Sequence, residues 1–387
     1  MGNARNFSIK EKFARRPEGH TTVAGSGVSR LKELLQEDTF HTMLTLERRR
    51  AERSRKPFVL MLLDAHALFT KRVPEKLLRQ LINSISTSTR ETDLVGWYKH
   101  GGVVGVIFTE VNLNEKTPIT QLLLTKIVKS LHHHLDLQLA SKVVVTLHLY
   151  PENWSEGSTI ADTKLYPEIV QKDPRKRISL IVKRAIDIAG SALLLLLLSP
   201  LFALISAAIK ITSDGAVLFE QDRLGQFGQR FKCLKFRTMY SNNDPKIHRE
   251  YIESFIAGKA EQAKGSDATI YKITDDPRIT PVGRVLRKFS LDELPQFWNV
   301  FVGEMSLVGP RPPVGYEFEL YDIWHRRRVF ELKPGVTGLW QVSGRSRTSF
   351  DDMVRLDLRY SQSWSIWLDI KILAATPRAV FTGDGAY

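Results

Sequence analysis

Residues 188–209 read IAGSALLLLLLSPLFALISAAI, 22 residues without a charged side chain. As one helix they would run about 33 Å at about 1.5 Å per residue, enough to cross a hydrocarbon core of about 30 Å. Six consecutive leucines, Leu193 to Leu198, make that helix apolar on every side, which a helix on a soluble core does not need. A buried core helix is the competing reading. Ser199-Pro200 stands at the centre. Proline has no N–H to give and clashes with the preceding turn, so a kink or break is expected there. Ser199 can satisfy one of the freed backbone groups. Basic residues lie before the stretch (Lys172, Arg175, Lys176, Arg177, Lys183, Arg184) and after it (Lys210, Arg223, Arg230, Lys232, Lys235, Arg237). Basic flanks stay on the cytoplasmic side, which places both ends on one face. A re-entrant helix over about residues 180–211, bent at Ser199-Pro200, satisfies both features. A plain spanning helix is the second choice.

The chain has 387 residues, which exceeds one ordinary domain and fits two. Hydrophobic residues make up 43% and charged residues 25%, which excludes a largely disordered or low-complexity chain. Lys and Arg number 56 against 42 acids, a net charge of +14. That excess points to nucleic acid, nucleotides or an anionic membrane face. The basic residues cluster around the apolar segment, which favours lipid and diphosphate over nucleic acid. The single cysteine, Cys233, excludes an internal disulfide framework and a Cys-cluster metal site. Residues 1–28 carry no apolar run of the secretory type and read as a loose leader. Asn6 stands where N-myristoylation wants Ser or Thr.

Upstream of the apolar segment the expected elements are a helix over 29–55, a buried strand from Phe58 to Leu63 ending at Asp64, and a helix over 74–86. Strands over 94–98 and 103–108 follow, around the turn Lys99-His100-Gly101-Gly102, then a helix over 119–133 and a strand over 142–150. The order β-α-β-β-α-β predicts an α+β, ferredoxin-like domain over 29–150. Residues 151–174, with three prolines, read as a linker, and a second domain occupies 175–387. His132, His133 and His134 are adjacent on a helix, where side chains point about 100° apart, so they do not share a metal-binding face.

The stretches ERRRAERSRKPFVLMLLDA (47–65) and RETDLVGWYKHGGVVGVIF (90–108) resemble the diguanylate cyclase (GGDEF) domain. The signature turn is Gly101-Gly102-Val103-Val104-Gly105, so the resemblance puts Val103 and Val104 where that family has its acids. Asp64 remains at the strand-end metal position, and His66 stands at the second acidic one. Two-metal phosphoryl chemistry needs several carboxylates. A degenerate, inactive domain serving regulation or dimerisation is therefore expected.

Downstream, the informative blocks are FEQDRLGQFGQRFKCLKFRTM (219–239), ITDDPRITPVGRVLRKFSLDELPQFWNVFVGEMSLVGPRPP (273–313), KPGVTGLWQVSGRS (333–346), DLRYSQSWSIWLDIKILAATPRAV (357–380) and TGDGAY (382–387). Asp292-Glu293 follows Arg284, Arg287 and Lys288. One reading is a capping box, with Ser290 as N-cap and Glu293 at N3, worth about 1 kcal/mol. The other is chemical. A carboxylate among cations stays ionised at neutral pH, as a nucleophile requires. Its neighbour can hold Mg²⁺ on a diphosphate, and Arg and Lys bind the phosphates. Arg311, between Pro310 and Pro312, is pre-placed by a stiff loop. Trp364 and Trp367, with Ile366, Ile370 and Leu373, form either an interfacial helix on the membrane or ordinary core.

KRAIDIAGSALLLLLLSP, LKFRTM, DPRIT, SLDELPQFWNV, GEMSLVGPRP, KPGVTGLWQVSGR and the closing GAY occur in this order. With them, residues 175–387 resemble the bacterial sugar transferases, the monotopic polyprenyl-phosphate phosphoglycosyl transferases. The resemblance implies a mostly α, membrane-associated catalytic domain on the cytoplasmic face of a bacterial inner membrane, with a re-entrant helix bent at Ser199-Pro200. It implies that Asp292 attacks the β-phosphorus of a UDP-sugar, that UMP leaves, and that polyprenyl phosphate (undecaprenyl phosphate) attacks the sugar-phosphoryl-aspartate. Glu293 would help hold Mg²⁺. Lys235, Arg237, Arg287 and Arg311 map to phosphate and nucleotide positions, and Arg345 to a place near the uridine. The ending resembles the branch that transfers hexose-1-phosphate, glucose or galactose, to start exopolysaccharide, capsule or O-antigen assembly. Expected partners are UDP-sugar, polyprenyl phosphate, inner-membrane lipid and a second copy through the N-terminal domain, and no nucleic acid. A membrane-tethered nucleotide sensor without transferase activity is the alternative, and the intact Asp292-Glu293 pair weighs against it.

Overall fold

The structure is a computed structural model and describes residues 34–69, 74–111, 119–152, 162–170, 174–240, 246–258, 278–344 and 348–381. The helices used in the description below are labelled α1 to α10. The first part contains α1 (Glu37–Ser54), β1 (Phe58–Asp64), α2 (Glu75–Ser86), β2 (Leu94–Lys99), β3 (Val103–Phe108), α3 (Ile119–His134) and β4 (Val144–Tyr150). The sheet order is β2-β3-β1-β4 with every pair antiparallel, which is the expected ferredoxin-like, split βαβ arrangement. β1 shows why. Its side chains alternate between faces, and both faces are covered. Val59, Met61 and Leu63 pack under α2 and α3, while Phe58, Leu60 and Leu62 join a cluster with Phe40 and Leu44 of α1. Pro74 flanks α2 as its N-cap residue, one position outside the first turn.

The second part contains α4 (Pro174–Leu197), α5 (Ser199–Thr212), a hairpin of β5 (Leu218–Leu224) and β6 (Arg230–Phe236), α6 (Pro281–Lys288), α7 (Gln296–Val302), β7 (Ser306–Val308), α8 (Ile323–Glu331), β8 (Gly335–Thr337), α9 (Phe350–Ser363) and α10 (Ile366–Phe381). It is mostly helical, as expected. Residues 153–161 and 171–173 of the expected linker lie outside the described residues. The described piece, 162–170, packs between the two parts. Tyr166 packs at a tilt against Phe330 of α8, ring centroids 5.6 Å apart, and Arg48 of α1 lies over the Tyr166 ring at 4.4 Å and pairs with Glu168. The cluster holding Phe40, Phe58 and Tyr98 also holds Phe318, Tyr321 and Phe330, so the two halves are packed together through one apolar core.

The apolar segment breaks where proline requires. The chain bends by 59° between α4 and α5. An uninterrupted helix would have the residue 200 N–H donate to the Leu196 carbonyl. Pro200 has none, and the Ser199 hydroxyl donates to Leu196 O instead, at 2.8 Å. Among the described residues no single helix is long and apolar enough to cross a membrane, while this bent pair has the length and composition. Both limbs lean on the same folded unit. α4 packs on α7 and β7, with Gly190 so near Leu307 that a Cβ would lie 2.9 Å from its methyl. Ile205 and Ile209 of α5 pack with Phe236 and Leu286. The tip between them is uncovered: Leu196 is 71% exposed, and Leu193, Leu197 and Leu204 are similarly open.

The basic flanks do more than line an interface. Lys183 donates to Asp369 of α10 (2.6 Å) and to the Val308 carbonyl (3.1 Å). Arg184 donates to the Val300 and Phe301 carbonyls at 2.7 and 2.8 Å, adding side-chain donors at the carbonyl end of α7. Asp187 accepts from Ser306 Oγ and from the Leu307 N–H. The helix entering the apolar segment is thereby bolted to β7, α7 and α10.

Candidate active site

Asp292 and Glu293 lie in a single 3₁₀ turn, Leu291–Glu293, between α6 and α7. The capping-box reading is corrected here. Ser290 adopts a left-handed backbone, φ 52° and ψ 24°, and its side chain caps nothing. An N-cap needs extended backbone; a non-glycine residue at positive φ is strained. Glu293 instead faces β6, where Lys235 Nζ donates to its Oε1 at 2.8 Å.

β6 explains the rest of the lining. In the hairpin, Gln221 lies opposite Cys233 and Arg223 opposite Phe231, so Arg223, Cys233 and Lys235 share one face. That face forms a cleft, open to solvent, with Glu293, Gln296, Arg311, Pro312, Val336 and Gln341. Asn299 fixes the strand against the dyad's helix. Its amide donates to the Lys232 carbonyl (2.7 Å) and accepts from the Leu234 N–H (3.0 Å). It mimics a strand partner on either side of Cys233.

The two carboxylates have different environments. Burial opposes ionisation of Glu293, but Lys235 first and then Arg311 outweigh it and hold its pKa at about 2. Asp292 is raised above the ordinary carboxylate range by burial and by the neighbouring Glu293 charge, against the pull of Lys235 and Arg287. Environments that push two adjacent acids apart give them separable roles.

Of the residues expected in the site, the structure gathers Lys235, Glu293 and Arg311 around the cleft, and Arg287 is close enough to act on Asp292 while its Nε donates to Thr238 Oγ1 at 2.9 Å. Arg237 lies apart from the cleft lining. It donates to the Ser213 carbonyl and hydroxyl at 2.8 and 2.9 Å, closing the end of α5. Arg345 and the 382–387 tail lie outside the described residues. Arg223, Gln296 and Gln341 line the cleft unforeseen. Arg223 had a signal in the sequence, its even spacing on a strand paired with Lys235's strand. Trp364 turns inward and donates to Asp369 Oδ2 (3.1 Å), while Trp367 is exposed. Only the second lies on the outer face, with Lys371 Nζ over its ring at 5.5 Å.

In the first part, Asp64 accepts from the backbone and from Nδ1 of His66 (3.0 and 2.8 Å). The His66 ring lies where a Cβ on Gly102 would be, and Val104 is buried. Among the described residues no group of three or more His, Cys, Asp or Glu side chains could hold a metal.

The bacterial sugar transferase family matches residues 178–383, and the chain belongs to that family. It is by class a phosphoglycosyl transferase. The exopolysaccharide production protein ExoY of Rhizobium meliloti is 46% identical over 54% of this chain and 88% of its own length. The undecaprenyl-phosphate galactose phosphotransferase of Salmonella typhimurium is 42% identical over 56% of this chain and 44% of its own. Among solved structures, the GGDEF domain of TpbB (YfiN) from Pseudomonas aeruginosa is similar over 37% of this chain and 89% of that one, with 18% identity and a TM-score of 0.27.

Proposed function

We propose that the chain transfers a sugar-1-phosphate, a hexose-1-phosphate, from a UDP-sugar to undecaprenyl phosphate and so starts exopolysaccharide or capsule assembly. The observation that carries this is the cleft in which Lys235, Arg223 and Arg311 converge on the Asp292-Glu293 turn. A diphosphate needs such cations, and Asp292, adjacent to the cleft residue Glu293, is proposed to attack its phosphorus. Names of relatives agree: the Salmonella protein is an undecaprenyl-phosphate galactose phosphotransferase, and one from Klebsiella pneumoniae is a UDP-glucose:undecaprenyl-phosphate glucose-1-phosphate transferase.

In the proposed reaction an Asp292 oxygen forms a bond to the β-phosphorus of the donor. The bond from that phosphorus to the bridging oxygen breaks, and UMP leaves with the electron pair. An oxygen of the acceptor phosphate then attacks the same phosphorus and releases the Asp292 carboxylate. Covalent relay divides one difficult displacement into two. Arg311 and Arg223 hold the donor phosphates, and Arg287 favours the ionised form of Asp292. Lys235 keeps Glu293 an acceptor. With no protein cage of three ligands among the described residues, the site suits an ion that arrives on the diphosphate, as Mg²⁺ does with one or two carboxylates; Glu293 would hold it. Such an ion would neutralise charge on the donor diphosphate and on the departing UMP. The direct assay offers a panel of UDP-sugars with undecaprenyl phosphate and Mg²⁺ and measures UMP release. Continuous UMP release that does not depend on the acceptor, or no release with any UDP-hexose, would count against the reading.

The bent pair α4–α5 is proposed to enter and leave the inner membrane on its cytoplasmic face. Its support is the uncovered leucine tip and the attachment of both limbs to one folded unit. Single cysteines near Lys183 and Lys210 should both react only after cell lysis. Reaction of either with an impermeant reagent from outside the intact inner membrane would contradict this. The first domain is proposed to make no cyclic dinucleotide, because Val103 and Val104 offer no oxygen to a metal and His66 fills the space over Gly102. The full-length chain should show no dinucleotide product from GTP, and any product above background would overturn the assignment.

A further inference from the structure

The loop that carries Arg311 has few donors of its own. Pro310, Pro312 and Pro313 have no N–H, yet four successive carbonyls are each taken by a different group. The Gly335 N–H donates to Pro310 O and the Leu224 N–H to Pro313 O, both at 2.9 Å. Arg328 Nη2 donates to Arg311 O at 3.1 Å, and Arg223 Nη1 donates to Pro312 O. Both arginines are buried, Arg223 at 6% and Arg328 at 3% exposure. Arg223 also lines the cleft, so its presence has a direct reason. Arg328 does not. It sits on α8 behind the loop, in a fully enclosed ion pair with Asp357 of α9 at 2.8 Å.

An enclosed ion pair is a poor way to join two helices, since apolar residues of similar volume do the same at less cost. Burial raises the Asp357 pKa to about 6 even with Arg328 opposing it. What an apolar pair cannot do is donate to the Arg311 carbonyl. We infer that Arg328, held by Asp357, is a positioning residue that fixes the Arg311 backbone and thereby aims its guanidinium into the cleft. This rests on the reading of Arg311 as a ligand of the donor diphosphate. Away from the loop, α8 also bears on the first domain through Arg327 with Glu52 at 3.7 Å, and on the linker through Phe330 with Tyr166. The helix that carries the strut is therefore braced from behind.

The test is the double variant Arg328→Met/Asp357→Leu in the full chain, which removes both charges and keeps the volume. UDP affinity by calorimetry and KM for the UDP-sugar are expected to weaken about tenfold, on the scale of one charge-assisted hydrogen bond, with kcat within about twofold of wild type. In an Arg311→Ala background the double change should add nothing, because the strut then has nothing to aim. A merely structural pair would lower thermal stability and kcat together and add fully to Arg311→Ala; that result, or unchanged UDP affinity in the folded double variant, overturns the inference. Asp357→Asn serves if the double variant misfolds: it keeps the shape but removes the charge that holds Arg328 Nη2, so UDP affinity should fall likewise. UDP binding is read without turnover. A wild-type chain that binds UDP and transfers nothing would therefore count against the transferase reading alone, and one that does not bind UDP would overturn both.

Discussion

Asp292→Asn is expected to bring UMP release to background. The amide is isosteric, so the 3₁₀ turn and the Lys235–Glu293 pair at 2.8 Å should persist, and thermal unfolding should be within a few degrees of wild type. The loss should be chemical. An amide oxygen is a far poorer nucleophile towards phosphorus than a carboxylate, and the remaining cations only bind and polarise the donor. A loss of several orders of magnitude in kcat with little change in UDP affinity is the expected pattern, since an interaction made only in the reacting state affects kcat and kcat/KM alike. An Asp292→Asn protein that turned over at the wild-type rate would remove the dyad from the mechanism.

Lys235→Met carries the second large effect. Glu293 is held at about 2, below its usual value of 4.5, by Lys235 and Arg311 against the cost of burial. A carboxylate whose folded-state pKa is depressed adds stability that is present above the unfolded value and is lost as pH falls towards the folded one. In the wild type that loss lies between about pH 4.5 and about pH 2. Without Lys235, burial pushes Glu293 upward, so the stability lost between about pH 4.5 and about pH 2 should shrink or reverse, while the acid limb of kcat/KM should move to higher pH. At neutral pH kcat/KM should fall by about two orders of magnitude, the scale of removing one preorganised donor at a reacting centre. Thermal unfolding and kcat/KM across a pH series check both. An acid limb that does not move would mean that the Lys235–Glu293 contact does not govern Glu293.

Local signals carried much of this fold. The strands of the first domain were legible because their apolar alternation and the Gly101-Gly102 turn are encoded within a few residues. The break in the apolar segment was legible because Pro200 removes a donor wherever it stands. The capping box over Ser290–Glu293 was misread because that motif is defined by side chains three apart, whereas the outcome depended on backbone: Ser290 took the left-handed region, and Lys235, 58 positions away, claimed Glu293. Lys183 and Arg184 looked like interfacial charges for the same reason. Their partners, Asp369 and the end of α7, are 186 and 116 positions distant. Arg328 gave no sign at all, since a charge in an amphipathic helix looks solvated until the helix meets Asp357. The apolar core shared by Phe40, Phe58, Phe318 and Phe330 was equally hidden, because each half shows a full set of apolar positions of its own.

The proposed mechanism turns on one bond, between an Asp292 oxygen and the donor's β-phosphorus. Intact-protein and peptide mass spectrometry of the wild-type chain, mixed with the competent UDP-sugar and Mg²⁺ before any acceptor is added, reads that bond directly. The account predicts one sugar-phosphoryl group per chain on the peptide containing Asp292, formed with release of UMP, absent in Asp292→Asn and discharged when undecaprenyl phosphate is added. Steady turnover with no adduct on the wild-type chain, or an adduct on another residue that discharges at the turnover rate, would contradict it.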